Sequence, residues 1–495
     1  MFAPELLLPQ AVAAVPDNIG VIWADEQYTY RQLAAAAEGV RSVLRTANAG
    51  VDPTRVALAI PNRPASLPLL QAIWDGGGQA VLVSAGLPPA VVIDLAWERD
   101  VDVLVVPERS AKGSWSRWER GILAVGDDLG PVTLCRTTAS PRLPTGDGDG
   151  PGIVLFTSGT TDVPKPIAIA NSAITQSLQS TLRQFGVGAD EVRRPRRHVN
   201  VVVFPLYHIS GLFQLLLSVG IWRPVVLLEK FSVADFVAVL EAHPAGEVVL
   251  NPTMLRKLLD AVDDEMVRSV VSRLTAVRCG TAPLPHGTRQ AFEEIFRVPV
   301  LQGYGATETV GEIAGWTWRD WQQYGQQKDG SVGRAHPGTV VEIRDSNGDL
   351  LPAGAVGEVW VSGPSTSGQT IRTKDLGYVD SDGFLFLAGR MDDTINCGGF
   401  KILPAALEHV LEAHPGVLEC VVVPEADDTL GQIPVAYVVP SEGGVSPAEL
   451  ERFARARLAP YQCPRMVHIV SALPRNELGK VLRGSLVAPG KEAEL

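Results

Sequence analysis

The sequence predicts an α/β protein: a large N-terminal domain of α/β subdomains plus a β-rich subdomain, closed by a small mobile C-terminal α+β lid domain. Three patterns predict it. Short apolar runs alternate with longer segments of helical period through the N-terminal part. Glycines, prolines and short β-rich runs fill Ser331 to Leu387. Residues 391–495 carry helix and strand patterns of their own.

Taken in order, Tyr30 to Leu44 and Ala65 to Trp74 have helical period, whereas Val56 to Ile60, Ala80 to Val83 and Val101 to Val106 read as buried strands. Such alternation indicates a largely parallel sheet covered by helices. Thr137 to Gly152 is polar and turn-forming, a surface connector. The apolar strand Ile153 to Phe156 follows and runs into Thr157, Ser158, Gly159, Thr160 and Thr161. A second α/β stretch continues through Val199 to Phe204, Val248 to Leu250 and Leu274 to Arg278. The β-rich part contains Val340 to Ile343, Gly357 to Val361 and Phe384 to Leu387. In the last segment Pro404 to Ala413 is helical, and Glu419 to Val423 and Val435 to Val439 are strand-like. The expected division is 1–390 and 391–495.

The chain has 495 residues and is 46% hydrophobic, enough for a large core and two to four domains or subdomains. Asp and Glu total 55 against 43 Lys and Arg, a net charge of -12, which argues against nucleic-acid binding through a basic surface. The five cysteines show neither CxxC nor metal-ligand spacing, so reduced cytoplasmic thiols are expected. No uninterrupted apolar run is long enough to span a membrane, and no basic region precedes the short apolar run ending at Leu8.

The loop Thr157 to Thr161 is dense in hydroxyls and backbone N–H groups, which can cradle phosphate oxygens without a fixed charge. Gly-Lys-Ser/Thr is absent, so it is not a Walker A loop. Lys165 follows, and the string FTSGTTDVPKP resembles the phosphate loop of the adenylate-forming superfamily, which includes acyl- and aryl-CoA synthetases, luciferases and nonribosomal-peptide adenylation domains. Later blocks carry the same resemblance in the same order. Gln302, Gly303, Tyr304 and Gly305, with Thr307 and Glu308, resemble the adenine and magnesium block. Thr373 to Asp380 with Gly389-Arg390 resembles the ribose block, Arg390 to Asn396 with Gly398-Gly399 the hinge, and Pro474 to Lys480 the block of the catalytic lysine.

The resemblance implies an acid:CoA ligase with ATP or an acyl adenylate, coenzyme A and Mg2+ as its small molecules. A carboxylate attacks the α-phosphate of ATP, pyrophosphate leaves, and the thiol of coenzyme A then displaces AMP. Negative charge gathers in the first transition state, so cations and aligned donors are needed. Lys480 is the implied main cation, Glu308 the magnesium carboxylate and Thr307 a donor to the α-phosphate. Tyr304 would lie against adenine, with Gly280, Thr281 and Ala282 on the other side. Asp375 and Arg390 would hold the ribose. Asp392 would be the hinge, and Gly398 and Gly399 would let the pantetheine arm pass. His208 follows the Val201 to Phe204 strand, either as a gate beside the acid or as a structural residue. Residues 201–217 contain no aspartate to bind an α-ammonium, which implies an acid without that amine. Arg196 and Arg197, in the one dense basic run, are either solvated or a landing site for the phosphates of coenzyme A. Trp316, Trp318, Trp321 and Tyr324 either wall a bulky acid or pack the subdomain.

Asp162 and Pro166 stand where the superfamily usually has glycine. An aspartate about 5 Å from a phosphate charge costs ~3 kcal/mol at an effective dielectric of about 20, and proline removes a backbone N–H. A second reading therefore follows: a ligase that performs mainly the thioester-forming half-reaction on an adenylate supplied by a separate adenylating enzyme. A third is an enzyme that loads a carrier protein.

Overall fold

The computed structural model describes residues 2–111, 115–138, 151–157, 165–186, 196–366, 368–441, 443–476 and 479–486. The Tyr30–Ala47 helix begins at a reciprocal cap: the Thr29 hydroxyl accepts from the Gln32 N–H, and the Gln32 side chain accepts from the Thr29 N–H. Its stripe of Leu33, Ala37, Val40 and Leu44 shares one core with Val56, Leu58, Leu123 and Val125. Those residues belong to a seven-stranded sheet ordered Thr133–Arg136, Gly121–Val125, Val103–Pro107, Arg55–Leu58, Gln79–Leu82, Gly152–Thr157, Lys165–Ala170. The inner five strands are parallel and both edge pairs antiparallel. The expected connector from Thr137 to Gly152 falls largely outside the described residues, as do Ser158 to Thr161 and Asp162.

A four-stranded sheet (Asn200–Val202, Val225–Leu227, Ile19–Trp23, Glu26–Thr29) lies between this unit and a nine-stranded one in chain contacts. In the latter, Glu247–Leu250, Ala276–Cys279 and Val300–Ala306 are parallel, and six antiparallel strands follow from Gly311–Gly315 to Val340–Arg344. The β-rich segment expected from Ser331 onward is thus continuous with the second α/β stretch. Val300–Ala306 joins them, with a parallel partner on one side and an antiparallel partner on the other.

The C-terminal segment builds its own five-stranded sheet around the long hairpin Val417–Asp427 and Gly431–Pro440. Leu407 and Leu411 of the Pro404–Glu412 helix and Leu450 complete its core. Among the described residues, no helix is long and apolar enough to cross a membrane.

Glu412 sits at the base of this unit, where it accepts from the Cys420 N–H at 3.3 Å. Burial, aided by the charges of Glu408 and Glu419, pushes its carboxyl up to about 8. The folded value lies above the ordinary one of 4.5, so this group's contribution to stability is complete below about pH 4.5 and is lost as the pH rises through about 8. Glu412→Gln keeps the acceptor and removes the ionisation. Thermal unfolding at pH 8 is expected to shift upward in the variant, with little change at pH 5.

Candidate functional site

The Ala276–Cys279 strand ends beside the start of Val300–Ala306, with Cys279 opposite Gln302. Chain then leaves the sheet through Gly280, Thr281 (φ 72°) and Ala282, and a Cβ at Gly280 would lie 3.4 Å from the Gly303 carbonyl oxygen. The two glycine-rich segments predicted to flank adenine are therefore neighbours. Tyr304 points to the other face of its strand and donates to Asp375 Oδ2 at 2.5 Å. Burial, together with the Asp375 charge, pushes the phenol far up.

Asp375 and Arg390 are cross-strand partners in the Ile371–Val379 and Phe384–Arg390 pair, with Arg390 Nη1 3.4 Å from Asp375 Oδ1. Burial holds the Asp375 carboxyl above its ordinary range, although the Tyr304 hydrogen bond and the charges of Arg390 and Lys480 pull downward. Both carboxylate oxygens thus already have a protein partner, and a ribose would use the remaining lone pairs.

Lys480 is exposed on a tight loop. Its N–H donates to Asn476 Oδ1 at 2.9 Å, and its carbonyl accepts from the Asn476 N–H at 3.0 Å. Arg475 ties the loop to the C-terminal sheet, donating to the Gly479 carbonyl and to Glu419, each at 2.7 Å. Across the gap, Thr253 Oγ1 donates to the same carbonyl at 3.2 Å. Thr253 opens the Pro252–Asp260 helix, which Asn251 caps through the Met254 N–H at 2.8 Å. Gly479 has φ 77°, and a Cβ there would overlap Thr253. This docking seats the lysine loop and brings its charge to bear on Asp375.

Between Val300–Ala306 and Gly311–Gly315, Thr307 is buried and Glu308 exposed. Thr309 holds the turn: its hydroxyl accepts from the Ala306 N–H at 2.9 Å and faces the Ala306 and Gly311 carbonyls. Val310, β-branched yet at φ 53°, is strained, and Ser177 of the Asn171–Gln184 helix fixes its carbonyl at 2.8 Å. Glu308 opens on a cavity of about 640 Å³ walled by Ile167, Ala168 and Ile169, on the strand leaving the phosphate loop. Thr157 Oγ1 donates to the Lys165 carbonyl at 3.4 Å across the loop's neck. Pro166 is in register with Phe156 on the edge strand Lys165–Ala170. The expectation that it removes a loop N–H is corrected: an edge strand tolerates proline.

His208 caps the Ile209–Gly220 helix, its Nδ1 accepting from the Ser210 N–H at 3.2 Å. Burial pulls the ring down to about 4, so it is neutral at physiological pH. Gly398 (φ 56°) and Gly399 (φ 86°) form the two-residue turn of the Ile395–Cys397 and Phe400–Ile402 hairpin, which requires positive φ at both positions. Asp392 pairs with Lys374 at 3.2 Å and lies 3.9 Å from Arg390. Arg196 and Arg197 are exposed. Trp316, Trp321 and Tyr324 pack around Phe384 and so serve the subdomain. Trp318 stacks on Trp321 and is 43% exposed. Sequence reasoning missed Thr253, which docks the lysine loop, Asn251, which caps the helix that carries it, and the contact between Glu312 and His336 at 3.1 Å. An acidic residue so soon after Glu308 was the one available signal for the latter.

The AMP-binding enzyme profile matches residues 8–369, and the AMP-binding enzyme C-terminal domain profile matches 406–480. The chain belongs to the AMP-binding enzyme family. It is 30% identical over 510 residues to 2-succinylbenzoate--CoA ligase of Bacillus velezensis, a match covering 97% of this chain and 96% of that protein. Peroxisomal OPC-8:0-CoA ligase 1 of Arabidopsis thaliana is 30% identical over 69% of this chain, which spans 64% of that ligase's length. Among solved structures, o-succinylbenzoate CoA synthetase (MenE) from Bacillus subtilis in complex with its acyl-adenylate intermediate OSB-AMP superposes with a TM-score of 0.78 at 26% identity over 97% of both chains. Within the AMP-binding enzymes the chain is therefore an acyl-CoA synthetase of the adenylate-forming superfamily.

Two outcomes test this geometry. Gly479→Ala is expected to lower ATP–pyrophosphate exchange on the order of 10²-fold while the folded protein persists by circular dichroism; undiminished exchange would contradict the docking. His208→Asn, which keeps a capping acceptor, is expected to leave the pH–rate profile between about pH 6 and 8 unchanged, because the native ring does not titrate there.

Proposed function

We propose that the chain converts a carboxylic acid lacking an α-amino group, through an acyl adenylate, to its acyl-CoA thioester, with the cytoplasm as its place of work. The observation that carries this reading is the seating of the Lys480 loop on Thr253, within electrostatic reach of Asp375. A cation at that position can bridge a carboxylate and an α-phosphate as charge develops between them. Asp375 and Arg390 would hold the ribose, Tyr304 with Gly280 to Ala282 the adenine, and the buried Thr307 a phosphate oxygen. Among the described residues no three His, Cys, Asp or Glu side chains gather to hold a metal. A magnesium ion bound by Glu308, water and nucleotide oxygens suits that donor set and would neutralise phosphate charge. Units 1–390 and 391–495 would turn about Asp392 to bring Gly398 and Gly399 to the pantetheine arm, with Arg196 and Arg197 toward the nucleotide end of coenzyme A.

A complete ligase is preferred over the split-activity reading, because Pro166 on an edge strand leaves Asp162 alone to argue for impaired adenylation. Lys480→Ala is expected to suppress ATP–pyrophosphate exchange about 10²- to 10³-fold and to reduce thioester formation from supplied acyl adenylate much less. Equal losses would contradict the assigned role. Robust exchange by the unaltered protein would remove the split-activity alternative.

A further inference from the structure

Glu312 is a carboxylate in an unusual place. It follows Gly311, where a Cβ would lie 3.5 Å from the ring of Phe213, on the helix that His208 caps. Its side chain spreads over Gly303 and Gly315, and a Cβ at either position would overlap it. Gly303 in turn adjoins Gly280. Glu312 therefore occupies the ground between the glycine-rich nucleotide segments and the His208 helix, and its side chain remains 30% exposed.

The acceptor and donor inventory is one-sided. A carboxylate only accepts, so the Nε2 of His336, 3.1 Å from Oε1, is the donor of that pair. Glu312 Oε2 has no partner among the described residues. On the His208 helix, Gln214 spends its amide N–H on the Ser210 carbonyl at 3.0 Å, leaving its buried Oε1 unpartnered. Buried acceptors without donors are unfavourable, and a bound molecule that supplies donors relieves them.

We infer that Glu312, oriented by His336, is a specificity residue of the acid site, and that the acid carries a hydroxyl donor remote from its reacting carboxylate. A second carboxylate there would meet like charge. This deepens the ligase reading and rests on it.

The test uses nonhydrolysable sulfamoyl-adenosine mimics of 3-phenylpropanoic acid and of its ring-hydroxylated and ring-carboxylated forms, substituted at each ring position. Binding is measured by calorimetry, and thioester formation from the free acids is followed in parallel. At one ring position the hydroxylated mimic is expected to bind about tenfold tighter than the parent, and every carboxylated mimic more weakly than the parent. In Glu312→Gln, which preserves shape, the hydroxyl-over-carboxyl preference is expected to fall about tenfold through Kd and KM with kcat little changed; His336→Leu is expected to erode the same preference. Equal binding of all mimics, tighter binding of a carboxylated one, or a preference unmoved by Glu312→Gln overturns the inference and leaves the ligase reading standing. Failure of every mimic to bind overturns both.

Discussion

The hydrogen bond from Tyr304 to Asp375 joins the middle of the nine-stranded sheet to the strand pair that leads into the C-terminal unit. Neither partner would be comfortable alone: burial disfavours the Asp375 carboxylate, and an unpaired buried phenol would lose a donor's worth of hydrogen bonding. Tyr304 lies on the strand that carries Gln302, Gly303 and Gly305, so the bond fixes that strand relative to Arg390, the last residue of its own strand. Every other placement in the site is measured from this frame.

On that frame charge is distributed sparingly. Asp375 is surrounded by three groups that favour its ionised form, yet burial still raises its pKa, so the region is poorly solvated and fields there are strong. A lysine delivered to such a region acts with greater effect than one in open water. The neutral His208 follows the same rule with the opposite sign of charge, because burial suppresses protonation of its ring.

Much of this was legible in the sequence because the motifs concentrate their chemistry locally. The helical period of Tyr30 to Leu44 shows within one turn after another, and Tyr304, Asp375, Arg390 and Lys480 each stand inside a recognisable block. The residues that escaped are those whose meaning depends on register. Glu312 and His336 meet only because Gly311–Gly315 and Ser331–Ala335 are adjacent strands. Pro166 looked like part of a loop because nothing local reveals that Lys165 already pairs with Thr157. The β-rich segment looked separate because sequence does not disclose that Val300–Ala306 has neighbours of opposite direction on its two sides.

The lysine loop has two sets of attachments of unequal strength. Toward its own sheet it is held by the Arg475–Glu419 guanidinium–carboxylate pair, whereas toward the Pro252–Asp260 helix the neutral hydroxyl of Thr253 donates to its Gly479 carbonyl. The loop is consequently a part of its own sheet first: a charge-assisted pair outlasts a hydrogen bond between neutral groups, so if the two sides were drawn apart the Thr253 contact would be the one to yield. For a C-terminal unit that turns as proposed, Thr253 would be the escapement: variation there would retime the cycle and leave Lys480 itself unaltered.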